Sequence, residues 1–230
     1  MLDCHIIKHR ADFTVDVALR AGVHARLGIF GDSAAGKSTV LACLAGIETP
    51  DAGYIHWDGQ RWYPPPCPLH QRRIGYLSQR ERLFPHLTVE ENVLFALDRR
   101  QRASEEVWIT ELRAGLGLDT LWKKPATTLS GGQVRRAALA RSLCRRPPLV
   151  LLDEPFVGLD RPRIRSLCGV LCDWQARLGF TLLLVDHDPA VMRSLCETVI
   201  IMQHGRIAST CAARQLRADA QEPPEPACAD

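Results

Sequence analysis

An α/β fold, in which helices cover a mostly parallel β-sheet, is predicted by three features of the 230-residue sequence. Short apolar runs alternate along the chain with longer amphipathic stretches, as in successive strand-helix-strand units. Several of these runs lack polar alternation, which is typical of strands buried on both faces. Residues 88–145 contain no convincing strand, and their helical periodicity predicts a helical insertion.

The individual elements follow from the same patterns. The unalternating runs predict buried strands at 27–30, 74–77, 149–152, 181–185 and 199–202. The alternating runs predict an antiparallel strip at one side of the sheet, with strands at 4–8, 13–19, 54–57 and 60–63, the last two flanking the turn pair Asp58-Gly59. Helical periodicity predicts helices at 40–45, 89–97, 105–116 and 133–143.

Chain length and these elements predict one domain over residues 1–216. Its core consists of 1–87 and 146–216, and its helical subdomain of 88–145. Residues 217–230 are rich in Pro and Ala and poor in large apolar side chains, which predicts a disordered tail.

The composition excludes several classes of protein. With 46% hydrophobic and 24% charged residues the chain is an ordinary globular protein, not a disordered, collagen-like or coiled-coil one. The longest apolar run, 40–45, is far shorter than the ~20 residues of a membrane span, and residues 1–20 lack the apolar core of a signal peptide, so a cytoplasmic chain is expected. The small net charge of +3 gives no argument for a nucleic-acid partner. The nine cysteines have spacings that predict neither disulfides nor a zinc site.

A phosphate-binding loop follows the first buried strand. It reads Gly31, Asp32, Ser33, Ala34, Ala35, Gly36, Lys37, Ser38, Thr39, which matches G-x4-G-K-[ST], and a helical pattern follows it. The glycines allow backbone N–H groups to curl round phosphates, and the helix N-terminus adds a favourable dipole. We expect Lys37 to reach the β and γ phosphates and the Ser38 hydroxyl to ligate Mg²⁺.

Two acids, Asp153 and Glu154, end the apolar run 149–152. A strand end beside a phosphate loop suits a carboxylate associated with Mg²⁺, the role expected of Asp153, while Glu154 is placed to polarise a water. Acids at strand ends also commonly cap the next turn, so this pattern depends on the loop for its interpretation.

A second candidate anion site is formed by Ser130, Gly131, Gly132 and Gln133, which precede an amphipathic stretch. Ser130 and Gln133 have the spacing of a capping box, and the glycines expose backbone N–H groups at the helix start. The alternative is a well-capped helix with no ligand.

In this order, the loop, the acid pair and the Ser130 motif resemble the ATP-binding subunits of ABC transporters, over about residues 2–216. The resemblance implies a P-loop NTPase (RecA-like) core with an antiparallel β strip and a helical subdomain. It also implies ATP hydrolysis with ATP and Mg²⁺, at the cytoplasmic face of the inner membrane. The implied partners are a second copy of the subunit, which sandwiches ATP, and integral membrane permease subunits. A substrate-binding protein would be reached only indirectly.

The resemblance extends to single residues. Gln79 matches the glutamine loop, which contacts Mg²⁺ or the attacking water and couples to the membrane subunits. Residues 130–133 match the signature motif, Asp160 matches the loop at the dimer interface, and His187 matches the switch histidine. The implied metal ligands are Ser38, Gln79 and Asp153, and the implied catalytic residues are Glu154, His187 and Gln79.

The sequence departs from the family pattern at several positions. Ala34 stands where Gly is usual, which matters if that position needs a positive φ. Val134 replaces a usually polar residue. No tyrosine precedes Tyr54, so His9 or Phe13 would have to contact adenine. The β-rich regulatory domain of some members is not expected, because too few residues follow the core.

The stretches 68–76 and 80–89 look most like binding-protein-dependent importers, among them the molybdate group. The alternatives are an exporter subunit, a soluble ABC-type ATPase and a small-molecule kinase built on the same loop. A kinase would leave residues 130–133 without a role.

Overall fold

The computed structural model describes residues 1–216, so the predicted tail at 217–230 lies outside the described residues. The strands are β1 (Leu2–His9), β2 (Thr14–Ala21), β3 (Arg26–Gly31), β4 (Ala52–Trp57), β5 (Gln60–Tyr63), β6 (Ile74–Leu77), β7 (Leu149–Asp153), β8 (Thr181–Val185), β9 (Thr198–Gln203) and β10 (Arg206–Ala212). The α-helices are α1 (Lys37–Ala45), α2 (Val89–Val93), α3 (Arg99–Ser104), α4 (Glu106–Gly115), α5 (Gly131–Leu143), α6 (Arg161–Leu178) and α7 (Pro189–Leu195). The α/β fold is thereby confirmed.

The described residues form two compact units. The first contains residues 1–72 and 183–216, and the second is Arg73–Leu182. Strand β8 begins in the second unit and ends in the first. The division predicted from the sequence, with a helical subdomain at 88–145, stays a prediction.

In the first unit, seven strands follow the order β5-β4-β1-β2-β10-β9-β3. The predicted antiparallel strip is confirmed, because β1 pairs antiparallel with both β2 and β4, and β4 with β5. Strand β10 was not predicted; it pairs antiparallel with β9 and meets β2 at Arg206 and Asp16. Strands β3 and β9 are parallel, with Gly31 opposite Met202.

Helix α1 is fixed in the first unit from its C-terminal end. The buried Arg72 side chain donates to the carbonyls of Cys43 at 3.0 Å and Leu44 at 2.8 Å. These carbonyls lie in the last turn of the helix, where acceptors lack intrahelical donors. Gly46 then ends the helix in a left-handed conformation, with φ of 79°. These contacts hold α1 in place, and the phosphate loop lies at the N-terminal end of this helix.

In the second unit, β6 and β7 pair in parallel, from Ile74 opposite Leu149 to Leu77 opposite Leu152. All five residues of β7 are buried, as its unbroken apolar run predicts. Since the carboxyl ends of parallel strands meet at one edge of a sheet, the residues that follow β6 and β7 are brought together.

The helices of the second unit differ in part from the prediction. The helix predicted at 89–97 ends at Val93, and a further helix, α3, begins after Asp98. The Asp98 side chain accepts from the backbone N–H of Gln101 at 2.8 Å, a local cap that starts the new helix. Trp108 of α4 packs edge-on against Trp174 of α6, with ring centroids 5.0 Å apart. The aromatic pair joins these two helices.

Candidate functional site

The phosphate loop connects β3 to α1 in the first unit. Helix α1 begins at Lys37, three residues before the predicted start, and Gly36 is its N-cap. The Lys37 side chain is only 5% exposed, and its Nζ donates to the carbonyls of Gly31 at 2.8 Å and Asp32 at 2.6 Å. The ammonium group is thus held inside the loop that would surround a phosphate.

The backbone of this loop requires glycine at two positions. At Gly31 φ is +143°, and a Cβ there would overlap the Met202 carbonyl. At Gly36 φ is +92°, and a Cβ would lie 2.6 Å from the side chain of Val15 and 3.3 Å from that of Phe13. Both values lie where L side chains are strained, so these glycines are structural requirements of the loop.

Ala34 occupies a left-handed conformation, with φ of 65°. The condition raised by the sequence, that this position needs a positive φ, is therefore confirmed. The side chain is exposed, so its methyl group contributes little to burial. The loop therefore holds an alanine in a backbone conformation that glycine adopts at a lower free-energy cost.

Of the two candidates for an adenine contact, Phe13 lies beside the loop. Its ring approaches the position of a Cβ at Gly36 to 3.3 Å. His9 instead has its Nδ1 3.1 Å from the Thr14 hydroxyl and its backbone N–H bonded to Asp51.

Gln79 and Glu154 meet in the second unit. Asp153 ends β7 with 1% exposure, and Glu154 follows it with a positive φ of 50°. Gln79 lies in the loop after β6, and its Nε2 donates to Glu154 Oε2 at 3.1 Å. Two of the three predicted catalytic side chains are thus in direct contact.

The signature residues begin helix α5. Gln133 Oε1 accepts from the backbone N–H of Ser130 at 3.0 Å, which is the reciprocal bond expected of a capping box. Ser130 and Gly131 are exposed, and a Cβ at Gly131 would meet no atom within 4 Å. The backbone at this helix start is therefore open to a ligand.

The predicted interface loop packs against the signature. A Cβ at Gly132 would lie 2.7 Å from Leu159 Cδ2 and 2.9 Å from the Gly158 carbonyl. Asp160 caps α6, because its Oδ1 accepts from the backbone N–H of Arg163 at 2.8 Å. Two motifs far apart in sequence therefore share one surface of the second unit.

His187 is exposed and follows β8 in the first unit. Its neighbour Asp186 is buried, and burial raises the pKa of that carboxyl to about 6. Asp186 Oδ1 accepts from the backbone N–H of Asp188 at 2.9 Å. His187 thus directly follows Asp186, whose ionised form is disfavoured by burial.

Sequence reasoning missed Arg135, which is 7% exposed. Its guanidinium donates to the backbone carbonyls of Ser78 and Gln79, and to those of Asp153 and Glu154. Its sequence position gave no signal, because its acceptors are backbone carbonyls, which any residue type supplies.

The donor types present suit Mg²⁺, which prefers oxygen ligands and retains several from water or phosphate. The Ser38 hydroxyl is exposed at the start of α1, and the Asp153 carboxylate is buried at a strand end. Among residues 1–216, no cluster of three or more His, Cys, Asp or Glu could hold a metal by itself.

The fold and the phosphate loop define the class, a P-loop nucleotide-binding α/β protein. Residues 14–157 match the family described as ABC transporter, and the chain belongs to this family.

Curated relatives agree with this assignment. The chain is 34% identical over 225 residues to the molybdenum import ATP-binding protein ModC of Rhodobacter capsulatus, covering 97% of this chain and 62% of that protein. It is 38% identical over 198 residues to the Fe(3+) ions import ATP-binding protein FbpC 2 of Pectobacterium atrosepticum, covering 85% of this chain and 57% of that protein. The chain therefore spans less than two thirds of these relatives.

A solved structure agrees on the fold. The dimeric structure of MJ0796, a bacterial ABC transporter cassette, superposes with a TM-score of 0.82 at 24% identity, covering 94% of this chain and all of that one. No helix in the part of the chain that the structure describes is long and apolar enough to cross a membrane.

Proposed function

We propose that this chain binds and hydrolyses ATP to power a membrane ABC transporter. The observation that carries the proposal is the contact of Gln79 with Glu154 at 3.1 Å, directly after the buried Asp153. The contact joins a glutamine loop to a strand-end carboxylate in a chain that also has a phosphate loop.

Residues 31–39 hold the ATP phosphates. Their backbone N–H groups and the start of α1 attract negative charge, and the Lys37 ammonium exchanges loop carbonyls for the β and γ phosphates. Phe13, beside Gly36, offers an aromatic face to adenine.

Mg²⁺ would be held by Ser38, Asp153 and Gln79, and when bound it offsets charge on the phosphates. Glu154 orients and polarises the attacking water. The Gln79 amide holds one oxygen of that carboxylate, which leaves the other to accept a proton from water. His187 contacts the γ phosphate.

The catalytic assignment is tested with Glu154→Gln in the full chain assembled with its membrane subunits. Removal of one preorganised electrostatic contact commonly costs ~10²-fold or more in turnover. We expect ATP binding to stay near wild type while hydrolysis falls at least that far. Turnover close to wild type in this variant would overturn the role of Glu154.

The functional unit is a pair of subunits with ATP between them. Each chain has two anion-binding helix starts, at residues 31–39 and at 130–133. In a twofold dimer the exposed Ser130 and Gly131 face the γ phosphate bound by the partner subunit, and Asp160 lies at the same interface. Ser130→Arg should then abolish turnover while the separate chain still binds nucleotide. Retained turnover would refute action across the interface.

The transporter is a binding-protein-dependent importer, with molybdate or another oxyanion as cargo. Import is supported by the names of relatives that import molybdenum, Fe(3+) ions, and sulfate or thiosulfate, and an oxyanion is supported by the molybdenum and sulfate names alone. The chain docks through the Gln79 region on permease subunits at the cytoplasmic face of the cell membrane and meets the substrate-binding protein only indirectly. Co-purification with a hydrophobic permease, and ATPase stimulation by loaded binding protein, test this. Failure to bind any membrane subunit would contradict it.

A further inference from the structure

Arg135 brings four backbone carbonyls onto one side chain. Its Nη1 donates to Ser78 O at 2.6 Å and Gln79 O at 3.2 Å. Its Nη2 donates to Glu154 O at 2.7 Å and also to Asp153 O. A guanidinium is planar and rigid, so it fixes the acceptors on its two amino groups relative to one another.

The acceptors belong to the two segments that carry the proposed hydrolytic residues. Ser78 and Gln79 follow β6, and Asp153 and Glu154 lie at the end of β7, so these carbonyls lie where the strand pairing stops. A buried carbonyl without a donor is costly. The Asp153 carbonyl is in a buried bond and the other three are in part-buried bonds, and Arg135 supplies donors to all four. The side chain thus ties both segments to helix α5.

Glu154 has a particular need of such support. Its φ of 50° is unfavourable for a residue with a side chain and persists only where surrounding contacts impose it. Arg135 holds the Glu154 carbonyl, and Gln79 holds its carboxylate. Together these bonds fix both ends of the residue.

We propose that Arg135 is a positioning residue for ATP hydrolysis. It sets the Glu154 carboxylate and the glutamine loop in one fixed arrangement and contacts no substrate. The proposal rests on the proposed function, in which Glu154 polarises the attacking water. Displacement of a catalytic group by about 1 Å can cost ~10²-fold in rate, so loss of this support lowers kcat.

Arg136 provides a matched control. It is the next residue of α5, is 9% exposed, and donates to Leu116 O at 2.7 Å and Gly117 O at 2.6 Å. It is therefore also a buried arginine that binds carbonyls, but its carbonyls lie outside the hydrolytic segments. Burial lowers the pKa of its guanidinium.

The test compares Arg135→Lys and Arg135→Gln with Arg136→Lys and Arg136→Gln in the full chain. Single-turnover hydrolysis gives the rate of the chemical step, nucleotide titration gives affinity, and hydrogen exchange reports on the backbone amides of residues 78–81 and 153–154. Both Arg135 variants should lose at least ~10-fold in rate, with ATP affinity within about twofold of wild type and faster exchange in both segments. The Arg136 variants should keep the rate within about threefold even where their Tm falls equally.

The outcomes separate this proposal from the proposed function. If Glu154→Gln abolishes hydrolysis but both Arg135 variants keep the wild-type rate, the positioning role is wrong and the function stands. If Arg135 and Arg136 variants lose rate in proportion to stability, Arg135 is a structural residue only. If Glu154→Gln retains turnover, both proposals fall. In the Glu154→Gln background, Arg135→Gln should cause no further loss, and an additional large loss would contradict action through Glu154.

Discussion

Replacement of Ala34 by glycine should stabilise the chain. Ala34 has φ of 65°, and the left-handed conformation costs a non-glycine residue ~1–2 kcal/mol. Glycine removes this cost. It also makes the unfolded chain more flexible, which lowers stability by ~0.4–1 kcal/mol. Because the side chain is exposed, loss of its methyl group removes no buried contact. The midpoints of these two ranges leave a net gain of about 0.8 kcal/mol.

A gain of this size is measurable by thermal denaturation. For a domain of this length 1 kcal/mol shifts Tm by ~2–4 °C, so Ala34→Gly should raise Tm by about 1–4 °C without nucleotide. Ala35→Gly is the matched control. Ala35 is 4% exposed and has no positive φ, so this variant loses a buried methyl group and should lower Tm.

Two results would contradict backbone strain at Ala34. If Ala34→Gly raises neither Tm nor nucleotide affinity, the loop holds no strain at this position. If both variants shift Tm in the same direction, backbone conformation is not what distinguishes the two alanines.

Three further changes have expected outcomes. Burial raises the pKa of Asp186 from 3.8 to about 6, so its contribution to stability is fully present below about pH 4 and is lost as the pH rises through 6. About 2 kcal/mol of this loss falls between pH 4.5 and pH 8, so Asp186→Asn should reduce the pH dependence of urea unfolding by about that much; equal pH profiles in the two proteins would contradict this effect of burial. Gly132→Ala should lower Tm, because the added Cβ would lie 2.7 Å from Leu159, whereas Gly131→Ala should leave Tm unchanged. Equal effects of the two variants would refute the packing of Leu159 against Gly132. Asn92 is fully buried, accepts a hydrogen bond from Phe84 N at 2.7 Å and donates one to Thr88 O at 2.9 Å. Asn92→Leu should therefore lower the free energy of unfolding in urea by ~2–4 kcal/mol, and a loss below ~1 kcal/mol would be inconsistent with those bonds.

The strands that the sequence predicts well are those whose stability comes from burial along their whole length. Strands β7 and β8 are apolar runs buried at every residue, and their predicted positions agree with the structure within one residue. Strand β10 has no such run, because its residues are exposed or half-buried, and it depends on pairing with β9 and β2. Its main partner β9 precedes it across the two residues His204 and Gly205, both with positive φ, so a hairpin turn was a local signal that the prediction did not use.

Helix boundaries show the same limit. The apolar period of 89–97 continues past the true end of α2 at Val93. Residues 94–98 are not helical, and Asp98 caps the start of α3. The apolar periodicity indicates which residues could share a helix face. The end of the helix before Leu94 depends instead on packing in the folded unit.

The parts of the candidate site that can be predicted from the sequence are those whose residues are contiguous. The phosphate loop and signature are runs of sequence whose glycines and capping spacing are visible without a fold. The contact of Gln79 with Glu154 needs β6 beside β7, a pairing that spans 75 positions of the sequence. Arg135 escaped notice because its acceptors are backbone carbonyls, which any residue type supplies.

The molecular mass of Glu154→Gln in solution decides whether two copies enclose ATP between the phosphate loop of one and the signature of the other. Light scattering after size separation should give twice the mass of one chain in ATP and Mg²⁺, and one chain in ADP. Adding Ser130→Arg should return the protein to one chain in ATP while nucleotide still binds. A single chain in ATP, or a pair that Ser130→Arg leaves intact, would contradict the account.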